Sequence, residues 1–503
     1  DATRTTAGTA RTLNAVNLTD TTVHNAGQPF TVTIIGQNAL GATTLNYSAN
    51  PPVDVLAVTL GTCGGTACPA VFGSFALGSA TSSGGTVTAN TATYTDVGSF
   101  TLTIQDQSFA NVDAADSSTA QRYITSSAIN VGRFVPDHYT LITAGVSAPS
   151  LTNRSDIATC YPNTTGSIAS SSTTLTVAAA SGFSIGDQVI VHGAGAGGSD
   201  LTATVNAIAG NTLTIAVAAS TTVSNSPVRK QGFTYFNEPF AVAFRLEARN
   251  AGEGVTANYS GALAPMDPTS MASYGFAALN TSTDLSARLA GTPGGSWTAG
   301  VLMPAVSLSF SRLATEDGPY NALDIGIAPT DPDGTALTVF DLDVNGDGTS
   351  DHAKLAQTMV RFGRLHLQNA FGSELLDLPV PMAAEYFAGG AYVVNSDDSC
   401  TAIVTGNLLL SSGTATVGGA FQAGKGNLKL TAPGSPVSID LCVDLDVSAG
   451  VQNDSTCIAS SPANRTYLQW KWSGPTFDKD PRARAVFGVY KNPNEFIYLR
   501  ENF

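Results

Sequence analysis

The chain has 503 residues, a formal net charge of −15, and charged side chains at only 12% of positions, about half the usual share. Its 23 Lys and Arg are spread over the whole length, which argues against nucleic acid and anionic membrane surfaces, because both need clustered cations. No run reaches the ~18 apolar residues that span a bilayer, and the length suits roughly three domains.

In chain order, residues 1–16, "DATRTTAGTARTLNAV", are too poor in large apolar groups for a core of their own. They read as an arm or linker, with an alternative role as a strand added to a neighbour's sheet. The segment has neither a basic start nor an apolar stretch, so no leader is expected within it.

From residue 17 onward period-2 alternation dominates, as in "FTVTIIG", "GSFTLTIQD", "FAVAFRLEA", "NLKLTAP" and "VSIDLCVDL". Alternation of this kind marks half-buried strands. The predicted class is all-β: serial immunoglobulin-like sandwiches at 17–134 and 135–353, followed by a C-terminal β domain at 354–503. An internal repeat supports the two sandwiches. Residues 28–50, "QPFTVTIIGQNALGATTLNYSAN", resemble 238–262, "EPFAVAFRLEARNAGEGVTANYSGA", with Asn38 and Asn46 spaced like Asn250 and Asn258. "YTDVGSFTL" after the first copy, and less regularly "EDGPYNAL" after the second, match the D-x-G-x-aromatic opening of an immunoglobulin strand F.

Residues 164–229 interrupt the second copy with about five short strands and glycine turns, and read as an inserted domain. The stretch resembles small β-barrel modules of phage tail and surface proteins, which implies a small β-barrel here. Two catalytic or phosphate signatures inside it are weak. Ser184 in "GFSIG" fits a nucleophile elbow, but the following "DQVIVHG" alternates like a strand where that chemistry needs a helix. "GAGAGG" at 193–198 is likewise followed by a strand pattern, so no helix terminus would meet a phosphate.

The segment "DLDVNGDGTSD", 341–351, concentrates oxygen donors at alternate positions: Asp343, Asn345, Asp347 and Asp351 by side chains and Thr349 by its carbonyl, with Asp341 as a supporting or alternative first ligand. Such hard donors around a glycine bend suit a structural Ca²⁺, although Lys354 stands where an EF-hand has its bidentate Glu. The competing reading is a glycine-rich turn. The calcium would rigidify the junction between the second sandwich and the C-terminal region. Next, "SDHAKLAQTMVRFG" is the one helical candidate. The five histidines show no metal spacing, and Trp470 and Trp472, spaced to share one strand face, suit packing better than sugar stacking. The chain closes on a hairpin turned at Asn492–Asn494.

Six cysteines without CxxC pairs read as disulfides and an oxidising compartment. Cys63 with Cys68 and Cys442 with Cys457 are candidate local staples, and elimination leaves Cys160 with Cys400 among 15 pairings.

Five stretches occur together in order: "VGRFVPDHY", "FTYFNEPFAVAFRLEARN", "RFGRLHLQNAFGSELLDLPVP", "NSDDSC" and "FGVYKNPNEFIYLREN". They resemble the MshQ family, encoded with the mannose-sensitive haemagglutinin pilus, a type IV pilus. The 164–229 insertion and "WKWSGPTFDKDP" depart from that pattern. The resemblance implies an extracellular, pilus-associated and adhesive cell-surface protein. It would meet pilus components or the surfaces of host and neighbouring cells, and the resemblance supplies no catalytic residues. The alternative is a subunit that self-assembles into a filament or surface layer. Weakly guarded edges in "TVTIIG" and "TLTIAVAAS" would favour such edge-to-edge association. An extracellular hydrolase is the weakest reading, because it needs paired acids in a cleft.

Overall fold

The computed structural model describes residues 11–488 except 15–16, 21–22, 48–53, 60–72, 108–114, 116, 145–146, 155–162, 449–452 and 473. Strands make up 46% of it and helix 6%, so the protein is all-β. Among the described residues the α-helix is a single turn, Met271–Tyr274, and no helix is long and apolar enough to cross a membrane.

The first sandwich pairs strands 129–135, 98–106 and 54–59 in one sheet and 30–35, 86–94 and 75–76 in the other. Strand Phe30–Ile35 alternates buried and exposed, placing Phe30 and Val32 on Val87, Ala89, Phe100 and Phe134. The described part of the N-terminal arm is docked here: Asn14 bridges Gly132 and Leu13 packs on this core.

In the second sandwich, strands 150–152, 240–243, 305–310 and 289–294 face a sheet of 233–235, 353–361, 320–327 and 277–280. The repeat seen in the sequence has a common geometry. The Asn38 carboxamide accepts from the N–H groups of Leu40 and Ala42, and that of Asn250 from Gly252 and Gly254. Each following tyrosine donates its hydroxyl to an aspartate, Tyr47 to Asp106 and Tyr259 to Asp331. Asx turns at the same offset thus reverse both chains.

Six strands between Asn163 and Lys230 close into a barrel around Leu175, Val189, Val205, Leu213 and Val228. Closure removes the edges, so Thr212–Ile215 pairs on both sides and is no edge strand. Phe30–Ile35, by contrast, pairs along one side among the described residues.

The expected helix at 350–363 is a strand, Ala353–Arg361, parallel to Phe233–Tyr235 and antiparallel to Tyr320–Ile327. Its last four residues are all buried, so the apparent helical spacing came from a segment covered on both faces. The second sandwich therefore runs to residue 361.

Beyond it, strands 363–367, 378–388, 425–430 and 415–417 pack on 370–372, 482–487, 437–443 and 408–410. This core takes in Phe233, Tyr235 and Met359 from the second sandwich, so the junction is packed. Gly363 sits so close that a Cβ there would lie 2.3 Å from the Tyr235 ring. The closing hairpin turn at 492–494 lies outside the described residues.

Candidate functional site

The 341–351 loop connects two neighbouring antiparallel strands, Tyr320–Ile327 and Ala353–Arg361, and so belongs to the second sandwich rather than to a domain junction. Its polar side chains cap its own backbone. Asp343 accepts from the N–H groups of Gly346 and Gly348 at 2.8 and 2.9 Å, and Asp347 from Thr349 at 2.8 Å. Asn345 accepts from the Asp347 N–H at 2.9 Å. Asp351 accepts from Val344 and Asn345 and contacts His352 Nδ1 at 2.7 Å, and Asp341 accepts from the Lys354 N–H. Burial opposes the charge on Asp351, yet the His352 and backbone hydrogen bonds prevail and hold its carboxyl below the usual range. Gly346 and Gly348, at φ of 74° and 90°, allow the reversals.

A tighter acidic group lies in the C-terminal domain. Asp444, Asp446 and Asp480 each place one carboxylate oxygen within 4.8 Å of the other two, the one such group of three or more His, Cys, Asp or Glu among the described residues. All three are fully buried. Pairing of Val437–Val443 with Arg482–Phe487 creates the group by bringing the exit of one strand beside the entry of the other. Gln469 Nε2 donates to Asp446 Oδ1 at 2.9 Å and to Asp480 Oδ1 at 2.8 Å. Burial, reinforced by the charges of Asp446 and Asp444, pushes the Asp480 carboxyl up to about 7. At these separations two unit charges repel by about 3 kcal/mol even at an effective dielectric constant near 20. The sequence held one local signal, Asp-Leu-Asp closing a strand, but Asp480 is 34 residues further on.

The nearby Asp454 serves a different purpose. Burial works against its charge, but hydrogen bonds from Thr456 and Arg482 outweigh it and bring the carboxyl down to about 2.

Trp470 and Trp472 do not share a strand: Trp470 forms an isolated bridge with Lys479, and the two indoles meet at 4.9 Å edge to face. They enclose Arg364, which lies over Tyr392, Trp470 and Trp472 at 3.8, 4.6 and 5.0 Å and pairs with Glu385. A cation already fills this aromatic box. Ser184 sits in an exposed turn with its N–H on Asp187, and the strand Gln188–Val191 follows it. "GAGAGG" forms the connection between two barrel strands.

The domain junctions are polar and buried. Arg133 pairs with Asp333, and Lys230 and Arg361 both pair with Asp397. Arg312 donates to the carbonyls of Gly363, Gln469 and Tyr467. Glu238, 4% exposed, accepts from the Tyr235 N–H at 3.1 Å. Burial raises its carboxyl to about 7, although the hydrogen bond and Arg154 pull the other way. A carboxyl whose folded pKa lies above its unfolded value holds an extra proton in the fold, so stability falls between about pH 4.5 and 7 and is level above. Glu238→Gln should remove a decline on the order of 2 to 3 kcal/mol across that window, measured as the difference between urea-unfolding curves of variant and wild type. Asp454, with its lowered pKa, titrates below the window and leaves the comparison intact.

Cys442 and Cys457 form a disulfide, and Cys400 is also disulfide-bonded. Cys63, Cys68 and Cys160 lie outside the described residues.

Residues 213–357 match the family model described as DUF6701, third domain, and residues 361–502 match DUF6701, fourth domain. No curated protein matches the chain. A solved structure titled "FdeC, a Novel Broadly Conserved Escherichia coli Adhesin Eliciting Protection against Urinary Tract Infections" is similar at 12% identity. The match covers 69% of this chain and 98% of that one, with a TM-score of 0.22.

Proposed function

We propose that this chain, which carries the third and fourth DUF6701 domains, is a secreted bacterial surface protein of the MshQ kind that acts in adhesion without catalysis. The observation that carries the reading is the chemistry of its junctions. Successive β domains are tied by buried ion pairs and an arginine fork, and the last is stapled by Cys442–Cys457. Disulfides persist in oxidising compartments, and packed junctions keep serial domains from moving independently. The reading without catalysis draws on where the perturbed acids lie: Glu238 and Asp480, both raised to about 7, are 4% and 0% exposed. Calcium on Asp343, Asn345, Asp347, Thr349 and Asp351 belongs to the same reading, as a stabiliser of the connection between two strands of the second sandwich.

A second reading, self-assembly into a filament or layer, draws on strand Phe30–Ile35, which pairs on one side among the described residues and exposes Thr31, Thr33 and Ile35. Purified chain added to bacterial and host-type cells separates the two. Adhesion predicts saturable binding by a monomer; ordered polymers formed without cells, and no binding, would hand the case to assembly.

A further inference from the structure

We infer that Asp444, Asp446 and Asp480 form a binding site for one Ca²⁺ ion in the fourth DUF6701 domain. Two independent observations point there. The first is convergence: three fully buried carboxylates aim one oxygen each into a common space less than 4.8 Å across. The second is an orphaned atom. Asp480 Oδ1 accepts from the Leu445 N–H at 3.2 Å and from Gln469 Nε2, whereas Asp480 Oδ2 is buried and has no hydrogen-bond partner. A buried carboxylate oxygen without a partner is costly unless a cation or proton meets it.

The neighbours do not supply that cation. Asp444 accepts from the N–H groups of Asp446 and Ala459, and Asp446 from the Asn453 N–H and Gln469, all neutral donors. None of the three acids makes an ion pair with a described residue. Arg482 is committed to Asp454 and Lys479 to Asp478. Each carboxylate keeps at least one oxygen with a lone pair beyond these bonds: Asp446 Oδ1 and Asp480 Oδ1 already accept twice, whereas Asp446 Oδ2, Asp480 Oδ2 and both oxygens of Asp444 do not. Gln469 acts as a positioning residue, since its amide N–H₂ fixes two of the three acids.

The donor set chooses the metal. It is all oxygen, with no imidazole, and Cys442 and Cys457 are spent in a disulfide, so soft-ligand metals are disfavoured. Ca²⁺ accepts carboxylate cages of relaxed geometry, whereas Mg²⁺ demands a near-ideal octahedron and keeps several waters. The ion would cross-link the exit of strand Val437–Val443 to the entry of strand Arg482–Phe487. The inference stands whether or not the protein is adhesive, and it differs from the calcium proposed for residues 341–351.

The test is calorimetric titration of the full chain with Ca²⁺ after chelation and desalting, with melting curves in chelator and in about 1 mM Ca²⁺, a range used by extracellular modules. Asp480→Asn should take up one equivalent less than wild type. Its calcium-dependent rise in melting temperature should be smaller than that of wild type by about 3 °C or more, the share that belongs to this site. Asp446→Asn reads the same loss if Asp480→Asn fails to fold. Asp347→Ala, in the 341–351 loop, should keep this binding event. Wild-type uptake preserved in both Asp480→Asn and Asp446→Asn overturns the site, as does a wild-type chain that takes up no Ca²⁺, which would mean that the group is held by a proton.

Discussion

Arg312→Ala should destabilise the protein by about 3 kcal/mol or more and release the C-terminal domain from the second sandwich. The guanidinium donates to the carbonyls of Gly363, Gln469 and Tyr467 and lies over the Phe362 and Phe477 rings. Its own N–H is received by Asn237. Three segments thus meet on one side chain, and alanine would leave three carbonyls without donors. Each buried orphan costs roughly 1 to 3 kcal/mol, reduced where water can enter. Lysine should recover little, because a single ammonium lacks the planar fork that reaches several acceptors at once. Urea unfolding gives the magnitude, and limited proteolysis near residue 362 shows whether the junction has opened. An unchanged unfolding midpoint would mean that the arginine is a bystander.

Replacing Cys442 and Cys457 together by serine should cost about 3 kcal/mol, the loop-entropy expectation for a closure of this length. The bond spans 15 residues and both cysteines are buried, at 4% and 0% exposure. The segment it closes contains Asp444, Asp446 and Asp454, so its loss loosens the same acids that converge on Asp480. The double variant is preferable to reduction of wild type, because Cys400 is disulfide-bonded too. Matching stability of variant and wild type in urea would remove the staple from the account.

The fold was legible where side chains alternate and turns are local. Phe240–Ala243 shows its buried and exposed faces in four letters, and the paired Asx turns at Asn38 and Asn250 are visible as equal spacing. Reading failed where burial erased the pattern. Residues 358–361, at the end of strand Ala353–Arg361, are all buried, so a strand mimicked a helix. Trp470 and Trp472, two apart, suggested a strand, yet tertiary contacts with Arg364 hold them around a loop. "TLTI" looked like an open edge because its composition carries no charge, although its segment was expected to form a small barrel; closure of that barrel pairs it on both sides.

The same contrast applies to the acidic sites. At 341–351 every donor lies within eleven residues, so spacing alone exposed the pattern. The Asp444, Asp446 and Asp480 group exists only after Val437–Val443 has paired with Arg482–Phe487. Strand pairing fixes that register through contacts distant in sequence, and no local window contains it.

The central claim, a secreted protein working at the cell surface, is tested most directly by electron microscopy of intact producing cells with a gold-labelled antibody to the chain. The account predicts label outside the cell envelope, on pili or on the outer surface, without permeabilisation. Label that appears only after the envelope is opened would contradict it.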